Sequence, residues 1–345
     1  MVPNAFIAGT GMRVPDRIVT NDQLRTEFGI DTTHEWIVKR TGIEERRFAD
    51  EGVGTSDLAV TACEEAIKQA GIEKTEIDMI LFATLSPEHC FPGSGVYLQE
   101  KLGLCDGDSA TFCPAMDIRN QCSGFLYGLG TAASMIQSGA VKNVLLVGAE
   151  VHSAALDLTT QGRSVASLFG DGAGAVVVQA TEEDRGVRGW YLGADGRYAD
   201  NLCQKVWDMR KRPYISVDAE GVGQVPVDML WAHMDGRLVF KNAVERMLGA
   251  LMTAFSDQGG LTVNDVDLFV FHQANLRINQ YLAEMAGIPA EKLVNNIQCY
   301  GNTTAATIPL LLTQAVKDGV LQRGMKVAIA AFGSGFTWGS AIIDW

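Results

Sequence analysis

Three side chains whose types can do chemistry stand next to predicted strands and helices. Cys122 lies in the run 117–124, His272 follows the apolar run 266–271, and Asn302 precedes a predicted helix. A cysteine thiol is a nucleophile once it loses its proton, and a histidine and an asparagine beside it can polarise the reacting groups. The sequence therefore predicts a nucleophilic site built from Cys122, His272 and Asn302.

The elements around Cys122 favour this prediction. Residues 110–118 predict a strand, and residues 125–137 predict a helix that is apolar on nearly every face and therefore buried. The thiol would lie at the start of that helix, where the positive end of the helix dipole favours the thiolate. An inert buried cysteine is the alternative from this stretch alone. The presence of His272 and Asn302 favours the nucleophile.

These residues, together with the glycine-rich run 331–339, resemble the Cys-His-Asn site of the ketoacyl-ACP synthase III family of thiolase-like condensing enzymes. The resemblance covers essentially the whole chain. It implies that Cys122 takes an acyl group from an acyl-CoA and that His272 and Asn302 then support decarboxylation of a malonyl thioester. It also implies an oxyanion hole at the backbone of Cys122 and Ser334, where the family usually has glycine. Neither a metal nor a redox cofactor is expected.

The chain is also predicted to be duplicated. Residues 77–82 and 266–271 are similar strands, and the turns 169–172 and 332–335 are similar as well. Strands that alternate with helices in two similar halves predict an α/β fold. The family fold matches this prediction, because it stacks two halves as five αβαβα layers. We place the halves at 1–180, with the cysteine, and 181–345, with the histidine and asparagine.

A coenzyme A site is implied by the resemblance. Trp36 and Arg40 are four residues apart and share one helical face. From spacing alone they are a packed tryptophan and a surface arginine. In the family, matching residues hold the adenine end of the coenzyme, and a cation beside an indole suits a nucleotide. Three further contacts with the coenzyme are implied at Thr32, Arg163 and Asn275.

Contacts with other chains are implied too. In the family, a phenylalanine at the position of Phe91 enters the acyl pocket of the partner in a homodimer, although a loop aromatic over the local core is the alternative. Arg277 and Lys241 match residues that dock acyl carrier protein. Glu284 and Met285 stand where fatty-acid-priming members have lysines. A basic cluster beside Trp207 and Tyr214 is a possible substitute: Lys205, Arg210, Lys211 and Arg212.

Composition narrows the classes of protein. The 345 residues are 47% hydrophobic and 20% charged, which is typical of a globular protein with a large core. The net charge of −13 argues against general nucleic-acid binding. No apolar run has transmembrane length, residues 1–20 lack the layout of a signal peptide, and the seven cysteines form no disulfide or zinc pattern. We therefore expect a cytoplasmic protein.

The predicted function is a condensing enzyme of the ketoacyl-ACP synthase III type that joins an acyl-CoA starter to malonyl-ACP in fatty acid biosynthesis. A related condensing enzyme or acyltransferase of secondary metabolism is one alternative. A thioesterase that uses the same acyl-Cys122 is another, and a non-catalytic partner subunit is a third. The intact His272 and Asn302 favour condensation, and the intact Cys122 argues against a non-catalytic subunit.

Overall fold

The structure is a computed structural model that describes residues 2–206, 208–213, 215–218 and 222–345. The strands are β1 Asn4–Arg13, β2 Ile18–Thr20, β3 Glu45–Arg47, β4 Met79–Ala83, β5 Ala115–Ile118, β6 Asn143–Glu150, β7 Gly172–Thr181, β8 Gly186–Ala194, β9 Leu202–Cys203, β10 Ser216–Val217, β11 Gly223–Gln224, β12 His233–Met234, β13 Leu268–Phe271, β14 Leu293–Val294, β15 Lys326–Gly333 and β16 Thr337–Asp344. The helices are α1 Asn21–Thr26, α2 His34–Thr41, α3 Thr55–Ala70, α4 Ser94–Lys101, α5 Gly124–Gln137, α6 Arg163–Ala166, α7 Val227–Leu230, α8 Gly236–Asp257, α9 Leu276–Ala286, α10 Ile297–Tyr300 and α11 Thr307–Lys317.

Two five-stranded sheets have the same topology. The first has the order β1-β7-β6-β4-β5 and the second has the order β8-β16-β15-β13-β14. In each sheet the first two pairings are antiparallel and the last two are parallel. The predicted duplication is therefore confirmed, because β4 and β13, the two similar strands in the sequence, occupy equivalent places. Each sheet also comes from one half of the chain.

Five layers follow from where the apolar side chains lie. Helices α5 and α11 form the middle layer, and their apolar residues pack against both sheets in one core. The amphipathic α3 covers the outer face of the first sheet. Helices α8 and α9 cover the outer face of the second. Because α5 is apolar on nearly every face, it is stable only between two sheets, as the sequence predicted.

A smaller region packs around the buried guanidinium of Arg46. Residues of α1, α2 and the loop before α6 contribute to its apolar core. Arg46 donates to the carbonyl of Val19 at 3.1 Å, to Asn21 Oδ1 at 2.8 Å and to the carbonyl of Ser167 at 3.0 Å. Burial lowers the pKa of Arg46 to about 10. These bonds tie the region that carries α2 to the segment that leads into the site.

Several element boundaries differ from prediction. The strand expected over 110–118 is only β5, because Thr111 and Phe112 do not pair with β4 and Pro114 contributes only its carbonyl, which accepts from the Ile80 N–H at 2.9 Å. The irregular stretch 200–235 contains the short pairs β9–β12 and β10–β11, so it is partly structured. Trp207 and Tyr214, which we placed beside the basic cluster, lie outside the described residues. In the described part of the chain, no helix is long and apolar enough to span a membrane.

Candidate active site

Cys122 lies in a tight turn between β5 and the buried helix α5. The 3₁₀ turn Gln121–Ser123 leads directly into α5 at Gly124. Gln121, immediately before the cysteine, has a positive φ of 44°, which is unusual for a residue other than glycine. Ser123 Oγ donates to the carbonyl of Asn120 at 2.9 Å and shares a 2.7 Å hydrogen bond with Thr337 Oγ1. The turn is thus held from both halves of the chain.

Burial acts against ionisation of the Cys122 thiol. Its residue is 9% exposed, and burial raises the pKa of the Cys122 thiol to about 12. The negative charge of Glu150 raises this pKa further, whereas the backbone of Cys122 and the side chain of Thr304 lower it. Our expectation that the helix start favours the thiolate stays a prediction, and burial acts against it because a buried thiolate loses its hydration.

His272 follows β13 and is held as a neutral imidazole. It is 2% exposed, and burial lowers its pKa to about 3. Its backbone N–H donates to the carbonyl of Ala330 at 2.9 Å, and its Nδ1 lies 2.7 Å from Thr307 Oγ1. The Nε2 atom is buried and has no partner in the described part of the chain. Buried polar atoms are usually hydrogen-bonded, so an unpartnered Nε2 indicates a place for a ligand.

Asn302 contributes a side-chain amide whose nitrogen can serve the same ligand as His272 Nε2. The residue is buried, and its Oδ1 accepts from the backbone N–H of Thr304 at 2.8 Å. Its own backbone is fixed on both sides, because its N–H donates to Leu168 at 2.8 Å and its carbonyl accepts from Gly170 at 3.1 Å. Because Oδ1 faces the Thr304 N–H, the NH₂ group of the side chain faces the other way and can donate hydrogen bonds.

The predicted catalytic residues meet at one cavity. Cys122, His272 and Asn302 all line it, together with Phe240 and Gly333. Cys122 also lines a second cavity, with His152 and Ser334 among its walls. The nucleophile therefore stands between two spaces, so one group can reach it from each side.

The glycine-rich turn between β15 and β16 lies against the nucleophile. A Cβ on Gly333 would be 2.9 Å from Cys122 Cβ, so only glycine fits there without a shift. Ser334 is not among the residues with positive φ, and its hydroxyl donates to the carbonyl of Leu202. Serine at this place is therefore unstrained and ties the turn to β9. In the described residues, the Ser334 N–H donates to no protein acceptor.

Residues assigned to the coenzyme site cluster around Trp36. The guanidinium carbons of Arg40 and Arg163 lie 4.3 and 5.0 Å from the centre of the indole ring. Thr32 is buried, and its Oγ1 has no partner among the described residues. Asn275 instead caps α9, accepting from the Arg277 N–H at 2.9 Å, and it donates to the carbonyl of Arg40 at 3.2 Å.

Two of the residues assigned to partner contacts are exposed, whereas a third is held by hydrogen bonds within the chain. Phe91 is 83% exposed, and Lys241 is exposed on α8. The Arg277 guanidinium donates to the carbonyls of Val38 and Lys39 at 2.9 and 3.2 Å, at the end of α2. Its charge therefore holds the helix that carries Trp36 and Arg40.

The basic cluster that we considered as a substitute docking site is partly neutralised, because two of its four residues form ion pairs. Lys205 pairs with Asp200 at 3.0 Å, and Arg210 pairs with Asp208 at 2.7 Å. Exposed pairs of this kind contribute little to stability, but they offset the positive charges of Lys205 and Arg210. A surface with alternating charges is a poor match for a strongly acidic partner.

Sequence reasoning missed the residues beneath the site. Buried Glu150 accepts from Ser86 Oγ at 2.5 Å and from Thr84 Oγ1 at 3.1 Å. Burial, only partly offset by these donors, raises its pKa to about 7. His152 and Thr304 are also buried and share a 2.6 Å hydrogen bond. Histidine and a carboxylate directly after an apolar strand were the available signal, because polar residues there seldom lack a partner or role.

A duplicated five-layer fold with a buried cysteine, histidine and asparagine at one cavity defines the class of thiolase-like condensing enzymes. The family model for 3-oxoacyl-[acyl-carrier-protein] synthase III matches residues 116–196, and the model for its C-terminal part matches residues 256–345. A curated relative from Laribacter hongkongensis, beta-ketoacyl-[acyl-carrier-protein] synthase III, is 42% identical over 344 residues and covers 100% of both chains.

Solved structures agree with this match. The 3-oxoacyl-[acyl-carrier-protein] synthase III from Aquifex aeolicus VF5 has a TM-score of 0.85 and 38% identity, covering 99% of this chain and 100% of that one. The priming beta-ketosynthase of the R1128 polyketide pathway has a TM-score of 0.86 and 31% identity, covering 99% and 96%. The chain therefore belongs to the 3-oxoacyl-[acyl-carrier-protein] synthase III family and is an acyl-transferring condensing enzyme of that type.

Proposed function

We propose that this enzyme joins two thioesters in two half-reactions at Cys122. In the first, the Cys122 sulfur attacks the carbonyl carbon of an acyl-CoA, coenzyme A leaves as its thiol, and the acyl group stays on the sulfur. In the second, a malonyl thioester loses carbon dioxide, and its α-carbon attacks the acyl-Cys122 carbonyl to give a 3-oxoacyl thioester. The observation that carries this proposal is the unpartnered, neutral His272 Nε2 at the same cavity as Cys122.

His272 and Asn302 serve the second half-reaction. Loss of carbon dioxide leaves an enolate, whose oxygen needs hydrogen-bond donors. The Asn302 amide nitrogen is available because Thr304 occupies the oxygen. His272 Nε2 is a donor in the tautomer in which the Thr307 hydroxyl donates its one proton to Nδ1, 2.7 Å away, and not to the carbonyl of Thr304, 2.9 Å away. Both donors are neutral and fixed, so they stabilise developing charge without reorganisation.

Backbone N–H groups stabilise the oxyanion of each tetrahedral intermediate. We assign this role to the N–H groups of Cys122 and Ser334. The close approach of Gly333, the residue before Ser334, to Cys122 supports this assignment. Serine in place of the usual glycine keeps the donor, because a backbone N–H does not depend on the side chain.

Coenzyme A enters as part of the substrate. Arg40 and Arg163 lie on the indole of Trp36, and cations beside an aromatic ring suit an adenine nucleotide with phosphates. The unpartnered Thr32 hydroxyl is available to the same ligand. Asn275 supports this site indirectly, because its side chain donates a hydrogen bond to the backbone carbonyl of Arg40. None of the steps above needs a metal or a redox cofactor.

The malonyl donor is carried by acyl carrier protein in this proposal, and the pathway is fatty acid biosynthesis in the cytoplasm. The names of the curated relatives support this assignment. Lys241 is the exposed docking cation, whereas Arg277 positions α2. The similarity to a polyketide priming enzyme and the partly neutralised basic cluster favour secondary metabolism as the alternative.

We also propose a homodimer built on the edge strand β5. This strand has β4 on one side only, which leaves its other edge open. Apolar side chains around it are exposed: Phe91, Val96, Phe112 and Met116. A second copy would cover this edge and bring its Phe91 to the acyl side of Cys122. Residues 1–180 and 181–345 are the two halves of each subunit.

Mass spectrometry of the half-reactions tests the proposal. The protein is incubated with acyl-CoAs of graded chain length, and then with malonyl-carrier protein or malonyl-CoA. We expect one acyl group on the peptide that contains Cys122, followed by a 3-oxoacyl product with the carrier-bound donor. Hydrolysis of the acyl group without condensation would instead indicate a thioesterase. Faster turnover with malonyl-CoA would favour the secondary-metabolite enzyme.

A further inference from the structure

Gln273 follows His272 directly but faces away from the substrate space. Of the described residues 272–275, Gln273 is the one that does not line the first cavity. The residue is 1% exposed. Its amide has to find partners inside the protein, because burial of an unpaired polar group is costly. None of the steps proposed above uses this side chain.

Both ends of the Gln273 amide are bonded to the backbone. Its Oε1 accepts from the N–H of Asn296 at 3.2 Å and from the N–H of Ile297 at 3.3 Å. Its Nε2 donates to the carbonyl of Phe271 at 2.8 Å. The side chain therefore joins the end of β13 to the start of α10.

This link continues a connection that begins in the second sheet. The strands β13 and β14 are parallel, and Phe269 pairs with Leu293 and Val270 with Val294. After Val294 the chain leaves β14 and turns into α10. The Gln273 amide holds the two segments together beyond that point, with a side chain in place of a backbone pair.

Helix α10 needs a contact at its start. It has only four residues, and a helix of one turn is not stable on its own. The first N–H groups of a helix have no partner within the helix. The side chain of Asn296, which precedes the helix, donates to Gln314 Oε1 at 3.0 Å instead of capping it. Gln273 Oε1 satisfies the N–H groups of Asn296 and Ile297 in its place.

Asn302 lies at the other end of α10. The helix ends at Gly301, which has a φ of +65° and whose N–H donates to the carbonyl of Ile297 at 2.9 Å. Asn302 follows Gly301 directly, and His272 precedes Gln273 directly. The Gln273 amide thus connects the two segments that carry the proposed donors to the enolate.

We propose that Gln273 is a positioning residue, whose Oε1 bonds to the start of α10 fix the spacing between His272 and Asn302. This inference rests on the proposed function, in which both residues donate to the enolate of the second half-reaction. A donor displaced by about 1 Å can cost about 100-fold in rate. Cys122 belongs to a turn of the first half, so acylation depends much less on Gln273.

A second link orients the two donor side chains. His272 Nδ1 lies 2.7 Å from Thr307 Oγ1, and Asn302 Oδ1 accepts from the Thr304 N–H at 2.8 Å. This link sets the direction of the ring and of the amide, whereas Gln273 holds the backbone segments that carry them. Loss of the Gln273 amide should therefore weaken both donors without abolishing their action.

Matched substitutions test the proposal. Gln273→Met keeps the length of the side chain and removes its polar atoms, whereas Gln273→Glu keeps an acceptor oxygen. Asn279→Leu is the control, because Asn279 on α9 is also buried and donates to Asn295 Oδ1 at 2.9 Å, but is not among the described residues that line either cavity. Acyl-enzyme formation, carbon dioxide release from a malonyl thioester and the melting temperature are measured for each protein. Hydrogen exchange of a peptide that spans residues 293–303 is read by mass spectrometry.

We expect Gln273→Met to release carbon dioxide about ten-fold more slowly while acylation stays within about three-fold of wild type. Exchange in the 293–303 peptide should accelerate, since two N–H groups lose their acceptor. Gln273→Glu should release carbon dioxide at least about three-fold faster than Gln273→Met, because the acceptor is retained. Asn279→Leu should lower the melting temperature and leave both half-reactions within about three-fold of wild type.

Carbon dioxide release at the wild-type rate in Gln273→Met would overturn the proposal, and so would an equal slowing of both half-reactions. Equal rates in Gln273→Met and Gln273→Glu would also overturn it, since the acceptor would then have no role. If wild type releases no carbon dioxide from a malonyl thioester, the proposed function is contradicted. Faster exchange of the 293–303 peptide in Gln273→Met than in Asn279→Leu would still support the link between β13 and α10 in that case.

Discussion

The two halves of the molecule place different chemistry at equivalent turns. In the first half, β5 leads through the 3₁₀ turn Gln121–Ser123 into the buried helix α5. In the second, β14 and α10 lead through the 3₁₀ turn Thr304–Ala306 into the buried helix α11. Each turn contains a residue other than glycine with positive φ, Gln121 and Thr304. One turn carries the nucleophile, and the other is preceded by Asn302 and fixes its side chain.

The electrostatic surroundings of the two turns differ as well. Cys122 has the buried carboxyl group of Glu150 nearby, and its thiol pKa is raised. His272 and Asn302, from the second half, are neutral and line the first cavity, and His272 Nε2 has no partner among the described residues. A duplicated fold thus provides a nucleophile in one half and donors for an enolate in the other. We therefore expect that a substitution in one half of the chain can impair one half-reaction and spare the other.

The largest loss of activity is expected from a substitution where Gly333, in the second half, contacts Cys122, in the first. Gly333→Ala should abolish both half-reactions, because the new Cβ would lie 2.9 Å from Cys122 Cβ and displace the nucleophile. Overpacking of this kind also costs about 1–3 kcal/mol of stability. Acyl-enzyme mass and carbon dioxide release check the activity, and urea unfolding checks the stability. A fully active Gly333→Ala would show that the turn does not set the position of Cys122.

Substitutions at the edge strand β5 of the first half should have the next largest effect on acylation. Phe112→Asp with Met116→Asp should give a monomer and reduce acylation roughly ten-fold, because the acyl side of the site loses the partner's phenylalanine. Both side chains are exposed beside β5. Sedimentation and acylation kinetics provide the measurement. Met252→Asp, at an exposed apolar residue of α8, is the control and should remain dimeric. A wild type that is a fully active monomer would contradict the dimer.

The neutral state of His272 predicts a pH effect on stability. Its pKa is lowered from 6.5 to about 3, so its contribution is fully present above pH 6.5 and is lost as the pH falls towards 3. Between pH 6.5 and 5, wild type should lose about 2 kcal/mol more unfolding free energy than His272→Gln. Urea unfolding of both proteins at the two pH values cancels the effects of shared carboxylates. Equal losses would mean that His272 titrates normally.

Ser334→Gly should have the smallest effect. It removes the hydroxyl bond to the carbonyl of Leu202 and adds backbone freedom, at a cost of about 1 kcal/mol. The backbone N–H remains, so acylation should stay within about two-fold. Thermal unfolding and acylation kinetics check both expectations. A large loss of acylation would show that the serine side chain takes part in the site.

The sequence was sufficient to predict the duplicated fold. The strands β4 and β13 have similar apolar sequences, and α5 is apolar on nearly every face. It also placed Cys122, His272 and Asn302 at element ends. It could not reveal Glu150, His152 and Thr304 as neighbours of the thiol, since their contacts join residues more than 60 positions apart. For the same reason it could not reveal the burial that raises the pKa of the Cys122 thiol. Helix position is local in sequence, whereas desolvation depends on the whole packed site.

The division of labour between the halves is tested most directly by measuring both half-reactions on two variants. Cys122→Ala should show no acyl-enzyme by mass spectrometry, with Cys105→Ala, away from the site, as the control. His272→Ala should acylate within about three-fold of wild type but release carbon dioxide from malonyl thioester about 10²–10³ times more slowly, because a donor to the enolate is lost. If His272→Ala loses acylation and keeps decarboxylation, the account is contradicted.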